Sequence, residues 1–179
     1  MITVISPAKK LSNECYAYEA EHSQPSYLNR STELVNQLKS YEPSHLQSLM
    51  GISEKLSVLN WERFQSWEPS FNSDNSRQAF FTFRGDTYSG LDADTLSSQD
   101  LSFSQNHTRI LSGLYGVLKP LDLIMPYRLE MGTKIENKSG KNLYEFWGDM
   151  LASDIEKDLA GHDSKYLVNC ASVEYFKSI

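Results

Sequence analysis

Cysteine is nearly absent from this chain. The two that occur in 179 residues, Cys15 and Cys170, are far apart and match no ligand spacing, which excludes a disulfide framework and a cysteine-based zinc site. Long apolar runs are also missing: no stretch approaches the roughly 18 residues that a membrane-spanning helix needs. The N-terminal MITVISPAKK has its lysines after a short apolar run, the reverse of a secretory leader. The expectation is therefore a cytoplasmic protein with reduced thiols and no membrane contact. Basic residues are outnumbered, 17 against 23 acidic, for a formal net charge of -6. A uniformly basic surface is thus excluded, and any contact with a polyanion must come from a local patch.

A 40% hydrophobic content with 12% aromatics suffices for a buried core, and the length suits one domain, 1–179. Ile2 to Ser6 read as a buried strand stopped by Pro7, delivering Ser6 to Lys10 to a strand end. Leu34, Val35 and Leu38 share one face, which predicts a helix over 31–40 with Ser31 or Thr32 as N-cap. Pro43 opens a second helix ending near Gly51, and Ser53 caps a third that runs through Leu56, Leu59 and Phe64 to Trp67. Residues 77–91 predict a short helix and a loop, and 92–106 polar connections with short helical turns. The glycines and prolines of 108–132 suit a turn-rich, partly buried stretch. Leu143, Phe146, Trp147, Met150, Leu151, Ile155 and Leu159 form the stripe of one amphipathic helix ending near Gly161. KYLVNCAS is strand-like. Strands alternating with helices indicate an α/β, mixed α+β, domain.

LQSLMGISEKL, with a downstream arginine, resembles a helix-hairpin-helix over 44–67. In such an element a tight turn aims backbone N–H groups and the helix dipole at one phosphate, and a lysine adds charge; Gly51, Ser53, Lys55 and Arg63 are the candidates. It would grip backbone and read no sequence. Ser53 stands where the motif usually has a second glycine, and Glu54 adds a carboxylate. The competing reading is a plain helical hairpin packing Leu46, Leu49, Ile52, Leu56 and Leu59. Between Arg109 and Lys141, Arg109, Lys119, Arg128, Lys134, Lys138 and Lys141 face only Asp122, Glu130 and Glu136, a segregation that suits a phosphate-binding face and adds Lys119, Lys134 and Lys138 to the DNA candidates.

Ser6, Lys9, Arg128, Glu130, Asn169, Ser172 and Glu174 are polar residues set in apolar blocks. Buried charge is costly unless paired or used, so they form either an ion-pair network or a ligand pocket. Arg128 and Glu130, one residue apart, share a face in an extended segment and can pair. No phosphate-cradling loop, dinucleotide fingerprint or nucleophile elbow is present. His22, His45, His107 and His162 lack a second ligand at helical spacing, so no metal and no cofactor is expected.

Together ISPAK (5–9), FRGDTYSGL (83–91), LSGLYGVLKPLDLIMPYRLEMGT (111–133), NLYEFWGD (142–149) and EYFKS (174–178) resemble the peroxide stress protein YaaA family in order along the chain. The resemblance implies an unusual mixed α/β fold, binding of duplex or distorted DNA through the helix-hairpin-helix, and a part in limiting oxidative damage by keeping intracellular free iron low. Members of that family continue past EYFKS, so the chain is expected to lack the family's C-terminal part. The alternative is an enzyme or binder of a phosphorylated or carboxylated metabolite at the strand-end pocket.

Overall fold

A computed structural model describes residues 1–12 and 21–179; Cys15 lies outside them. The chain runs β1 (Ile2–Ile5), β2 (Lys10–Leu11), α1 (Leu28–Lys39), α2 (Pro43–Met50), α3 (Glu54–Ser66), β3 (Arg77–Gln78), α4 (Ala79–Thr82), β4 (Phe83–Arg84), α5 (Asp86–Leu91), a 3-10 turn at Ala93–Thr95, and α6 (Ser98–His107). It continues through β5 (Thr108–Ser112), β6 (Gly116–Leu118), β7 (Leu123–Ile124), α7 (Leu143–Trp147), α8 (Met150–Ala160), β8 (Leu167–Cys170) and α9 (Val173–Phe176). This is a mixed α/β architecture. The main sheet has the order β6-β5-β1-β8. β1 is parallel to both β5 and β8, and β6 closes back antiparallel on β5. β1, β5 and β8 therefore end on the same side, the side on which ligands meet open α/β sheets. Two short ribbons, β2 with β4 and β3 with β7, flank this sheet.

The core is continuous from β1 and β5 through the α4 aromatics Phe80 and Phe81 to Trp147 and Leu151. Tyr115 anchors its centre. Its hydroxyl accepts the Trp67 indole N–H at 3.0 Å and the Met125 N–H at 3.2 Å, so buried polar groups of three segments satisfy one another. Gly113 allows the turn after β5 to touch the 127–131 segment: a Cβ there would lie 2.3 Å from the Leu129 carbonyl oxygen.

Several local expectations need correction. α1 begins at Leu28, not at 31, because the Ser31 and Thr32 hydroxyls donate back to the carbonyls of Tyr27 and Leu28 instead of capping N–H groups. Residues 98–107 form a ten-residue helix fixed by a reciprocal capping box between Ser97 and Asp100, a signal outweighed in the sequence by its polar composition. The 108–132 stretch supplies three strands, and β5 is buried on both faces along most of its length. The stripe over 143–159 is two helices, because Gly148 at φ +50° breaks the backbone between α7 and α8.

Candidate functional site

β1 ends at Ile5, and Pro7, which offers no N–H to a ladder, turns the chain away. The turn leaves Ser6 beside Ser172, which follows β8: the Ser6 Oγ accepts the Ser172 N–H at 2.9 Å. The same carbonyl end receives the Tyr88 hydroxyl, which donates to the Ser6 carbonyl at 2.9 Å. Across from this turn runs the extended 127–131 segment. It is pinned from behind by Tyr127, whose hydroxyl lies 2.6 Å from the Ser112 Oγ at the end of β5. A cleft of about 220 Å³ opens between these walls, lined by Ser6, Lys9, Arg128, Glu130, Ser172 and Glu174 with the rings of Tyr127 and Tyr175.

Its charges are arranged as a chain. Glu130 accepts from Arg128 at 2.9 Å through one oxygen and pairs with Lys9 at 2.9 Å through the other. Arg128 is largely covered while Lys9 reaches into solvent, with side-chain exposures of 17% and 66%. Glu174 takes the Gly132 N–H at 2.7 Å through Oε1. Burial pushes the Tyr127 hydroxyl up, and burial together with Tyr127, Glu174 and Glu130 does the same for Tyr175. Both phenols are therefore neutral donors at physiological pH. Such a wall offers two cations, two carboxylates and several hydroxyls within one small concavity, the composition of a site for a polar, charged ligand.

Six of the seven residues singled out as a polar strand-end group thus line one cleft. Asn169 does not; its Oδ1 accepts the Ala171 N–H at 2.8 Å and shapes the turn after β8. A neighbouring recess shares Pro7, Ala8 and Lys9 and is walled further by Lys10, Arg84 and Asp86. Nothing local in the sequence links Lys10 to Arg84. The doubled lysine of PAKK was visible, but its partner lies in β4 and becomes adjacent only through the Lys10–Arg84 pairing of the β2–β4 ribbon.

The nucleic-acid candidates divide. α2 and α3 form a helical hairpin, with Gly51 left-handed at φ 60° as C-cap of α2 and Ser53 as N-cap of α3, accepting the Leu56 N–H. Lys55 is exposed at the second position of α3. Arg63 is half-buried against Asn60, 3.4 Å from its side-chain oxygen, and burial lowers its pKa. The plain-hairpin packing is also altered. Leu46 and Ile52 are buried, but Leu56 and Leu59 are 37% and 39% exposed, because α3 packs inward through Ser57, Asn60 and Phe64.

The 109–141 segment is less cationic at its surface than its composition implies. Arg109 is buried and ion-paired with Asp158, and Arg128 belongs to the cleft. Lys119 is half-buried in a turn whose backbone N–H is held by Asp122. Lys134 is exposed, and Lys138 lines a separate groove beside α1 with Glu33 and Glu136. Trp67, Tyr115 and Tyr127 are core residues. Among the described residues no helix is long and apolar enough to cross a membrane, and no group of three or more His, Cys, Asp or Glu is placed to hold a metal ion.

Comparison with known proteins matches the whole chain, residues 1–179, to the family model described as peroxide stress protein YaaA. A UPF0246 protein of Shewanella sp. (strain W3-18-1) is 51% identical over 179 residues, covering 100% of this chain and 70% of its own length. A UPF0246 protein of Hahella chejuensis is 50% identical with the same coverage. With a family model matched end to end and half of all positions identical in these relatives, the chain belongs to the peroxide stress protein YaaA family.

Proposed function

We propose that the protein serves the response to peroxide by binding duplex or distorted DNA without strong sequence preference, thereby helping to limit DNA damage and intracellular free iron. The observation that carries this reading is the hairpin turn. Left-handed Gly51 reverses the chain, and the Ser53 side chain satisfies only the Leu56 N–H. The first N–H groups of α3 have no intrahelical partner, and they stand beside exposed Lys55. That arrangement favours an anion through both hydrogen bonding and dipole, and a phosphate fits it. A fluorescence-anisotropy titration of a labelled bubble duplex over a salt series is the test. Saturable binding that weakens with salt supports the reading; no binding by protein shown to be folded contradicts it.

The cleft favours a second reading, the binding or conversion of a phosphorylated or carboxylated metabolite. It is supported by the convergence of six polar residues at the carboxyl ends of parallel strands. On this reading Arg128→Ala abolishes metabolite binding and leaves DNA affinity intact. An equal loss of fold stability in every buffer would reduce the cluster to an ion-pair network.

A further inference from the structure

We infer that the two recesses flanking the Pro7–Lys9 turn form one site for a sugar phosphate, with the phosphate on Lys10 and Arg84 and the sugar between Glu130 and Glu174. The inference rests on the second reading of the cleft and specifies its ligand. Lys10 and Arg84 are directly opposed in the two-residue ladder of β2 and β4. Like charges placed opposite one another destabilise a ribbon, and this ribbon has no length over which to offset them. The relief that the described residues offer is small. Among the described residues Arg84 approaches one carboxylate, that of Asp94, at 3.8 Å, and Lys10 has no ion pair. Lys9, paired with Glu130 on the other side of the turn, also lines this recess, against one lining carboxylate among the described residues, Asp86. A dianion there would be held by Lys10 and Arg84, two cations that the fold forces together.

The adjoining recess has the complementary chemistry. Glu130 and Glu174 supply acceptors, and the Glu174 Oε2 has no hydrogen-bond partner among the described residues, because Oε1 alone takes the Gly132 N–H. Ser6 and Ser172 add hydroxyls, and Tyr127 and Tyr175 provide ring surface. The cations of this recess, Arg128 and Lys9, are already paired with Glu130, so the carboxylates and hydroxyls beside the rings are left to accept hydrogen bonds from sugar hydroxyls, whose C–H faces pack on the rings. The shared Pro7–Lys9 turn places the two chemistries side by side, so one molecule with a phosphate at its end and hydroxyls behind it satisfies both.

Isothermal titration calorimetry with ribose 5-phosphate, ribose and inorganic phosphate tests this on the whole 179-residue chain, with circular dichroism confirming that each variant is folded. Ribose 5-phosphate is expected to bind at least roughly tenfold tighter than either fragment, the gain expected when two sets of charged hydrogen bonds act on one ligand. Combining Lys10→Ala with Arg84→Gln should remove phosphate binding and reduce ribose 5-phosphate to the level of ribose. Glu174→Gln should weaken ribose 5-phosphate and leave phosphate unchanged. In a second arm, displacement of the probe by a 5′-phosphorylated oligonucleotide assigns a strand end as the source of the sugar phosphate, and no displacement assigns a free metabolite; both keep the site. Undiminished ribose 5-phosphate binding in the Lys10, Arg84 variant, or equal affinity for phosphate and ribose 5-phosphate, overturns the inference and leaves the cleft reading standing. No binding of any probe by folded wild-type protein overturns both.

Discussion

The guanidinium of Arg109 clasps the carboxylate of Asp158, with Nε 2.7 Å and the terminal nitrogen 2.5 Å from the same oxygen. Arg109 also donates to the carbonyls of Gln105 and Thr108, so β5, α6 and α8 are tied through one side chain. The pair has a consequence for function as well as stability, since it withdraws Arg109 from any DNA-facing surface. Asp158→Ala leaves an almost fully covered guanidinium without its counter-charge and should destabilise the fold by about 2–3 kcal/mol, toward the lower end for a buried pair because Asp158 retains some solvent. Equilibrium urea unfolding measures it, and a change within about 0.5 kcal/mol would mean that the pair contributes little.

Tyr115 makes a second structural prediction. Tyr115→Phe keeps the ring but leaves the Trp67 indole N–H and the Met125 N–H without their acceptor. Unsatisfied buried donors cost about 1–3 kcal/mol each. The midpoint of urea unfolding should fall with an unchanged slope; an unaltered midpoint would show that water replaces the hydroxyl.

Asp122 predicts a pH dependence. Burial pushes its carboxyl up to about 6, against the opposing pull of the Ser23 hydroxyl, the Lys119 N–H and nearby cations. In the unfolded chain the group titrates near its ordinary value of about 4. The folded form therefore holds the proton more tightly. Its contribution to stability is complete below about pH 4 and is lost as pH rises through about 6, a change on the order of 3 kcal/mol. Asp122→Asn should flatten that segment of the stability profile relative to wild type in thermal unfolding at constant ionic strength. Parallel profiles for the two proteins would contradict the raised value.

Gly113→Ala tests the close approach behind the cleft. The added Cβ would sit 2.3 Å from the Leu129 carbonyl oxygen, which is backbone and cannot step aside. The 127–131 wall must move or the protein must unfold, at a cost of roughly 3 kcal/mol or more. A variant as stable as wild type, with Arg128 and Glu130 still paired, would show the segment to be pliant.

Where a feature was readable in the sequence, the signal was local. Pro43, Gly51 and Ser53 mark the limits of α2 and α3 because each acts on its own backbone, and the β-branched run of β1 ends at Pro7. The polar residues of the cleft stood out against apolar neighbours, although their convergence depends on β1 and β8 pairing across more than 160 residues. The misses have equally physical causes. β5 shows no alternation because both its faces are covered. α6 is polar almost throughout and is held by its caps. The apolar spacing of α7 continues into α8 across Gly148, so periodicity hides the break. Arg109 and Lys119 read as surface cations until tertiary partners appear, and the Lys10–Arg84 pair exists only through strand pairing.

The most direct test of the hairpin as a phosphate contact is Lys55→Glu, titrated beside wild type against a labelled bubble duplex across a salt series. Lys55 is exposed, with no ion pair among the described residues, so the fold should tolerate the change. Weaker binding for all sequences alike and a salt slope shallower by about 1 are expected. An unchanged slope, or a loss confined to particular sequences, would contradict the phosphate contact.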